Sequence, residues 1–211
     1  MDDNTIYILG IGHNTPVFMD YVLDCGYNIG GLYHYCSNFD CIETKGYPLL
    51  GTFDDLFASC VRGKQFLLTM GNMDIRKKLT ERILQFGGRI PSVIHPTAVI
   101  SRYSKISNVG VIIGPFSNIQ ANSQIDSHSV ILSGVVICHN VEIGQYCFIA
   151  DGGLVGAYTK IEDNVFFGQG ALSISDKVEL IGKHSLIGAR SLLTKRVDAG
   201  SVMYGIPAMN H

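Results

Sequence analysis

A six-residue spacing of aliphatic side chains dominates the second half of the chain. The longest unbroken series is Ile119, Ile125, Ile131, Ile137, Ile143, Ile149, Val155, Ile161 and Phe167. The same stride precedes it at Ile94, Ile100 and Ile106, slips by one residue to Ile113, and resumes at Ile181, Ile187 and Leu193. This period is neither that of a helix nor that of an ordinary strand. It predicts a solenoid whose short flat sides each bury one aliphatic residue before the chain turns a corner.

Glycine often follows the repeating aliphatic residue directly, and we expect these glycines to form the corners. They stand at positions 114, 144, 156, 168, 182 and 188. The alternative is a β-sandwich whose strands fall at this spacing by chance. Strands joined by loops of variable length do not hold one register over so many steps, so the pattern favours the solenoid.

The first half instead alternates short apolar runs with helical patterns. Strands are predicted at 5–9, 29–35 and 66–70. One helix should have Thr15 as its N-cap and Pro16 at its first position, and a second should begin after the cap Asn72. Their buried faces are predicted to be Phe18, Tyr21, Val22 and Cys25, and Ile75, Leu79, Ile83 and Phe86. This order predicts a small parallel sheet of Rossmann-like α/β type.

The spacing of apolar residues changes near three residues typical of a helix end and a loop, Gly87, Gly88 and Pro91. We therefore place an α/β domain at 1–90 and an all-β domain at 91–211. Hydrophobic residues make up 46% of the 211 residues, which is enough to fill a core. Because 16 basic residues are outnumbered by 18 acidic ones, a nucleic-acid partner is not expected. The acidic N-terminus and the lack of a long apolar run predict a cytoplasmic protein without a membrane partner.

The six cysteines have no CxxC spacing, which argues against a disulfide framework. One cluster, His34, Cys36 and Cys41, has metal-binding side chains but lacks a second ligand pair at zinc-site spacing. We therefore expect no metal site.

The six-residue repeat resembles that of the hexapeptide-repeat acyltransferases, whose solenoid is a left-handed parallel β-helix. With the small α/β domain in front, the whole chain resembles the bacterial sialic acid O-acetyltransferase and nucleotide-aminosugar N-acetyltransferase family. Three stretches carry the likeness: Tyr7-Ile8-Leu9-Gly10-Ile11-Gly12-His13, Met70-Gly71-Asn72 with Ile75-Arg76, and Gly205-Ile206-Pro207-Ala208. The resemblance implies a nucleotide-linked sugar on the N-terminal domain and acetyl-CoA, as co-substrate, on the β-helix.

The loop after the first predicted strand, which contains Gly10 and Gly12, supports the expectation of a bound nucleotide. Glycines between a strand and a helix start let phosphate oxygens approach backbone N–H groups. A dinucleotide fingerprint would need glycine at Thr15 and an acidic residue where His34 and Tyr35 stand, so NAD binding is disfavoured. Candidate substrate-binding residues are Gly10, Gly12, His13, Asn14, His34, Tyr35, Gly71 and Asn72. The alternative is a domain that only caps the solenoid.

His139 lies two residues after the repeating Ile137 and therefore at a corner, where a side chain points outward. The resemblance makes it the general base that deprotonates the acceptor as it attacks the thioester. The family commonly has Asp or Glu next, whereas Asn140 stands here, so we expect the amide to orient the imidazole. A covalent acetyl-enzyme on neighbouring Cys138 is the less favoured route.

Three hexads make one coil, so Ala157 should lie one coil beyond His139, with its N–H facing the developing oxyanion. Similar reasoning places Gln169 and Ala189 along the family's pantetheine groove. Lys195, Arg196 and the segment from Gly205 through Pro207 should neighbour the CoA nucleotide. Met209 replaces a basic residue that the family usually has there.

The expected activity is acetyl-CoA-dependent N-acetylation of a nucleotide-linked amino sugar, such as a 4-amino-4,6-dideoxyhexose, for surface glycan or lipopolysaccharide. Alternatives are sugar O-acetylation, a non-catalytic scaffold, and a zinc enzyme resembling γ-type carbonic anhydrases, with ligands from His95, His128, His139 or His184. A homotrimer is expected, because one outward apolar stripe should need covering. That stripe comprises Val130, Val136, Phe148, Leu154 and Phe166.

Overall fold

The computed structural model describes residues 4–36 and 44–211. It consists of two compact units, Met1–Pro91 and Ser92–His211. None of the helices in the described residues is both long and apolar enough to span a membrane.

The first unit is a four-stranded, wholly parallel sheet in the order β3-β2-β1-β4. Its elements are β1 (Thr5–Leu9), α1 (Thr15–Asp24), β2 (Asn28–His34), β3 (Leu49–Thr52), α2 (Phe53–Ala58), β4 (Gln65–Leu68) and α3 (Met73–Gln85). The three strands and two helices expected from the sequence are confirmed, with shifts of one or two residues at their ends. The short β3 and α2 were not predicted.

Local side chains explain where these helices begin. The hydroxyl of Thr52 accepts the Asp55 N–H, and the Asp55 carboxylate accepts the Thr52 N–H, so α2 starts with a capping box. Asn72 caps α3 as predicted, by accepting the N–H groups of Asp74 and Ile75.

Two expectations about these helices are wrong. Asn14, not Thr15, occupies the N-cap position of α1, and its side chain makes no capping bond. The buried residues of α3 are Arg76, Leu79, Thr80 and Ile83, whereas Ile75 is 48% exposed and Phe86 is 45% exposed. Arg76 is buried because its guanidinium donates to the Leu68 carbonyl over 2.6 Å, which compensates its polarity.

The second unit is the predicted solenoid, a left-handed parallel β-helix. Seventeen two-residue strands, β5 to β21, wind around one apolar core. They are Val93–Ile94, Val99–Ile100, Lys105–Ile106, Ile112–Ile113, Asn118–Ile119, Gln124–Ile125, Val130–Ile131, Val136–Ile137, Glu142–Ile143, Phe148–Ile149, Leu154–Val155, Lys160–Ile161, Phe166–Phe167, Leu172–Ser173, Leu180–Ile181, Leu186–Ile187 and Leu192–Leu193. A hairpin of β22 (Val202–Gly205) and β23 (Ala208–Asn210) follows.

The strands form three parallel sheets, one for each side of the coil. Sheet 1 begins with β5, sheet 2 with β6 and sheet 3 with β7, and each takes every third strand as far as β21; the hairpin then extends sheet 1. Residues that pair between neighbouring coils are usually eighteen positions apart in the sequence, as Gln124 and Glu142 are. Two coils are longer: Lys105 pairs with Gln124, nineteen positions later, and Lys160 pairs with Leu180, twenty positions later. The extra residues do not disturb the strand pairing. The series from Ile119 to Phe167 is wholly buried, while Ile94 is 37% exposed.

The corners differ from the expectation in one respect. Every sixth residue from 110 to 176 has a left-handed backbone, with φ between 55° and 68°. These residues are Gly110, Phe116, Asn122, His128, Gly134, Asn140, Tyr146, Gly152, Tyr158, Asn164, Gly170 and Asp176. The glycines predicted to form corners serve another purpose. A Cβ on Gly168 would lie 2.7 Å from the Ala189 nitrogen, so glycine there allows neighbouring coils to stack closely.

The outward residues do not form one apolar stripe as expected. Val130, Phe148 and Phe166 project from sheet 1, whereas Val136 and Leu154 project from sheet 2. Val130 is already buried within the chain, and the rings of Phe148 and Phe166 stack at 5.4 Å. Sheet 3 instead presents charge, with Glu142 and Lys160 paired at 3.3 Å.

Candidate active site

The first unit contains a cavity of about 350 Å³ at the carboxyl ends of β1 and β4. The carboxyl ends of parallel strands are where open α/β sheets bind ligands. Among the candidate substrate-binding residues, six line the cavity: Gly10, Gly12, His13, Asn14, Tyr35 and Gly71. Ile11, Phe53, Met70 and Ile75 add apolar surface. The ring of Tyr35 is 76% exposed, which leaves a face available for stacking.

The protein itself uses the N–H groups of the glycine-rich loop, residues 10–12. The Gly10 N–H donates to the Tyr33 carbonyl over 2.9 Å, and the Gly12 N–H donates to the Thr15 hydroxyl over 2.9 Å. These two N–H groups therefore already have acceptors within the chain. The N–H groups of His13 and Asn14, which come next at the start of α1, donate to no described residue.

His34 and Asn72 do not line the cavity. Asn72 is occupied as the cap of α3. His34 is buried, and its Nδ1 accepts the Ile11 N–H over 3.1 Å, behind the loop rather than in the cavity. Both residues therefore support the cavity from outside it.

In the second unit, His139 lies at the edge between sheets 2 and 3, directly after β12. Its Nδ1 lies 3.1 Å from the Asn140 side-chain oxygen, so an Nδ1–H donates to Asn140 and Nε2 keeps its lone pair. The His139 backbone N–H donates to Gln120, and the Tyr158 ring meets the imidazole edge-on at 5.3 Å. This is an oriented, solvent-exposed imidazole with a free acceptor, which suits a general base.

The strand register fixes which residues share this edge. Positions two after β12, β15, β18 and β21 form one column, which we call the His139 column: His139, Ala157, Ser175 and Lys195. Three coils separate His139 from Lys195, a rise of about 14 Å at the spacing of parallel strands. Lys195 is exposed there, with neighbouring Arg196 paired to Asp198 at 3.4 Å.

Ala157, which was expected to stabilise the oxyanion, has different surroundings from those predicted. The Ala157 N–H donates to the Ser175 hydroxyl over 2.9 Å, so it is not free to face an oxyanion in this structure. Similar cross-coil bonds join the Gln145 N–H to Asp163 and the Ser133 N–H to Asp151. The corner N–H is thus part of how the coils stack.

Gln169 and Ala189 lie on a different edge, after strands β17 and β20 of sheet 1. They do not belong to the His139 column, so one groove along a single chain does not join the two groups. Gly205 and Pro207 are exposed at the tip of the β22–β23 hairpin.

Three of the histidines considered for zinc, His95, His128 and His139, make other side-chain contacts. Among the described residues, no group of three or more His, Cys, Asp or Glu side chains is arranged to hold a metal ion. His128 lies on another edge than His139 and stacks on Tyr146 at 4.8 Å, and the His95 ring bonds Thr97. Cys41 lies outside the described residues. Burial raises the pKa of the Cys138 thiol, which disfavours the thiolate that a covalent acetyl-enzyme needs.

Several residues around these sites were not predicted from the sequence. Thr15 and Thr69 share a buried hydroxyl pair at 3.0 Å beneath the glycine-rich loop, and Thr69 also donates to the Gly10 carbonyl. Tyr158 and Ser175 are each eighteen residues beyond residues already singled out, so adding one coil to Asn140 and Ala157 would have found them. The threonine pair gave no such signal.

Comparison with known proteins places the chain in a family. No family model matches it. It is 32% identical over 171 residues to the GDP-perosamine N-acetyltransferase of Escherichia coli O157:H7, covering 79% of this chain and 76% of that protein. The chain belongs to the hexapeptide-repeat sugar N-acetyltransferases. The expectation of an acyltransferase with this fold is thereby confirmed.

Two solved structures show how far the fold of this sugar N-acetyltransferase is shared. PerB from Caulobacter crescentus, in complex with CoA and GDP-perosamine, superposes with a TM-score of 0.89 at 22% identity, covering 98% of this chain and 97% of that one. The acetyltransferase domain of PglB from Neisseria gonorrhoeae, in complex with acetyl coenzyme A, gives 0.87 at 21% identity and 99% of both chains.

Proposed function

We propose that this enzyme transfers the acetyl group of acetyl-CoA to the amino group of a GDP-linked 4-amino-4,6-dideoxyhexose. The relative at 32% identity acts on GDP-perosamine, a sugar of that class. Within the structure, His139 carries the proposal, because its Nδ1 faces Asn140 and its Nε2 is left to accept a proton.

The reaction is direct transfer. The neutral sugar amine attacks the thioester carbonyl carbon, the C–S bond breaks, and the amine proton passes to His139 Nε2. The imidazolium then returns this proton to the CoA sulfur, which leaves as the thiol. Asn140 holds the ring throughout. Because Ser175 occupies the Ala157 N–H, that N–H assists the oxyanion only after the Ser175 hydroxyl turns aside.

Acetyl-CoA extends along the His139 column in this proposal. The rise of about 14 Å from His139 to Lys195 suits a pantetheine arm that ends at a cationic side chain. Exposed Lys195 then meets a CoA phosphate, while Gly205 and Pro207 on the hairpin approach the adenosine.

The nucleotide sugar occupies the cavity of the first unit. Its diphosphate meets the N–H groups of His13 and Asn14 at the start of α1, and its base stacks on the exposed face of Tyr35. Gly71 lines the same cavity, and nothing lies within 4 Å of a Cβ built there.

The active assembly is a homotrimer in this proposal. Sheet 2 presents the partly exposed apolar side chains Val136, Leu154, Leu172 and Leu192, which association would bury. Gln169 and Ala189 lie on another edge than His139, so a groove containing all three is completed by a neighbouring copy. Light scattering should give about three times 23.0 kDa, and a fully active monomer would contradict the shared groove.

Acetyl-CoA and nucleotide sugars are cytoplasmic metabolites, so we place the enzyme in the cytoplasm, ahead of surface glycan or lipopolysaccharide assembly. The decisive test is mass spectrometry of GDP-perosamine incubated with acetyl-CoA and enzyme. N-acetylated product supports the proposal. Acetylation of a hydroxyl instead, or no transfer to any amino sugar, would refute it.

A further inference from the structure

Three successive N–H groups anchor the glycine-rich loop, and each has a different acceptor. These acceptors are the Tyr33 carbonyl, His34 Nδ1 and the Thr15 hydroxyl. A carbonyl and a hydroxyl accept hydrogen bonds at any pH near neutrality. The imidazole does so only while Nδ1 carries no proton. Of the three, His34 is therefore the acceptor that pH can remove.

The surroundings of His34 favour the accepting form. The side chain is only 5% exposed, and burial lowers its pKa from the ordinary imidazole value. Among the titratable groups nearby, Tyr35 has its ring centroid 4.1 Å from that of His34, His13 follows the loop, and Asp55 lies in the first turn of α2. The Asp55 carboxylate accepts hydrogen bonds from Thr52, the residue that pairs with His34 in β3.

We propose that His34 is a positioning residue for the nucleotide sugar, whose neutral imidazole holds the glycine-rich loop in its cavity-lining conformation. The inference rests on the proposed function of that cavity. When His34 is protonated, its Nδ1 carries a hydrogen that points at the Ile11 N–H. Both groups are then donors, so the hydrogen bond between them is lost. The loop then loses its middle anchor, and because Gly10, Ile11 and Gly12 all line the cavity, the binding surface changes.

The sign of the effect follows from which form binds. Neutral His34 is the binding form, so affinity for the nucleotide sugar is full above the imidazole pKa and falls as the pH drops through it. Since burial places that pKa below its ordinary value of about 6.5, the loss begins on the acidic side of neutrality. Acetyl transfer at His139 is a separate step. Lowering the pH through the His34 pKa should therefore raise the KM and Kd for the nucleotide sugar through this residue without changing kcat.

Two variants separate positioning from a merely structural role. In His34→Asn, a side-chain oxygen replaces Nδ1 and accepts the Ile11 N–H at every pH. In His34→Phe, a ring of similar size fills the space but accepts nothing. Calorimetric titration with GDP-perosamine and steady-state kinetics from pH 5.5 to 8 would be run on both variants and wild type.

We expect the wild type to lose affinity as the pH falls through the imidazole pKa and His34→Asn to bind with a flat pH profile. His34→Phe should bind roughly tenfold or more weakly at all pH values, as when a buried donor loses its acceptor. Its kcat and its acetyl-CoA affinity should stay near wild type. His13 is present in all three proteins, so any titration of its own cancels in the comparison.

Either of two results would overturn the inference: an acid loss of affinity in His34→Asn equal to that of wild type, or wild-type affinity that stays constant down to the pH at which the enzyme unfolds. If His34→Phe does not fold, the Asn variant still decides. Wild-type enzyme that binds no GDP-perosamine at any pH would instead refute the proposed function, and this inference with it.

Discussion

Replacing Asn140 with glycine tests whether this residue acts in catalysis or only forms a corner. Asn140 has a left-handed backbone, with φ of 58°, and its side-chain oxygen also lies 3.1 Å from His139 Nδ1. Asn140→Gly removes the side-chain contact and keeps the corner, because glycine adopts that backbone freely. Asn140→Ala would remove the contact and strain the corner at once, since a non-glycine side chain in this conformation costs about 1 kcal/mol.

The size of the effect follows from one hydrogen bond. A typical net contribution of about 0.5–1.5 kcal/mol corresponds to a kcat roughly 2- to 12-fold lower in Asn140→Gly, with an unchanged melting temperature within a few degrees. Asn140→Asp keeps an acceptor and adds a charge beside the imidazolium. An exposed pair contributes about 0.2–1 kcal/mol, so kcat should equal wild type or rise up to about fivefold. Asp176 has φ of 59°, which shows that an equivalent corner accommodates aspartate.

The assay is kcat at saturation with both substrates, with the melting temperature measured in parallel. Asn164→Gly is the matched control, because Asn164 has φ of 59° on another edge. That control should keep wild-type turnover. If Asn140→Gly, Asn140→Asp and wild type turn over equally fast, the contact with His139 has no part in catalysis.

Three further predictions concern the base, the coils and the domains. His139→Ala should lower kcat by roughly 10²–10⁴-fold while acetyl-CoA affinity holds, and near-normal turnover would remove His139 from the mechanism. Gly156→Ala should destabilise the fold, because its Cβ would collide with the backbone of the next coil. Gly134→Asn should be nearly neutral, since the space around Gly134 is open and asparagine tolerates its positive φ. Equal melting temperatures for the two variants would contradict this prediction. Residues 92–211 alone should fold and bind acetyl-CoA but not GDP-perosamine, and calorimetry showing sugar-nucleotide binding by this fragment would refute the assignment of the cavity.

The repeat was predictable because one position in six must be aliphatic to fill the solenoid. The corner was harder to predict, because a left-handed backbone tolerates Phe116, Tyr158 and Asp176 once stacked coils hold it. Glycine was the expected signal, yet several repeating glycines exist for close stacking. Strand β3 was missed because Leu49–Thr52 is short, partly exposed and free of clear alternation.

The candidate sites were predictable where chain position decides geometry. His139 follows from the repeat, and the cavity residues follow from the strand-to-helix junction. The hydrogen-bond partners were not predictable, because they depend on residues distant in sequence: Thr69 reaches the Gly10 carbonyl and Ser175 reaches the Ala157 N–H. Gln169 is thirty residues beyond His139, which is not a whole number of eighteen-residue coils, so within one chain the two residues lie on different edges.

The eighteen-residue stagger constrains how such a gene can change in length. The two coils that carry extra residues keep the pairing of their strands, so insertions are absorbed at a corner and leave later coils in register. Duplication of eighteen codons would add one complete coil, whereas a single codon inserted within a strand would turn its buried side chain outward. Evolution can therefore elaborate the corners, where the His139 column lies, while the flat sides accept change only in whole coils.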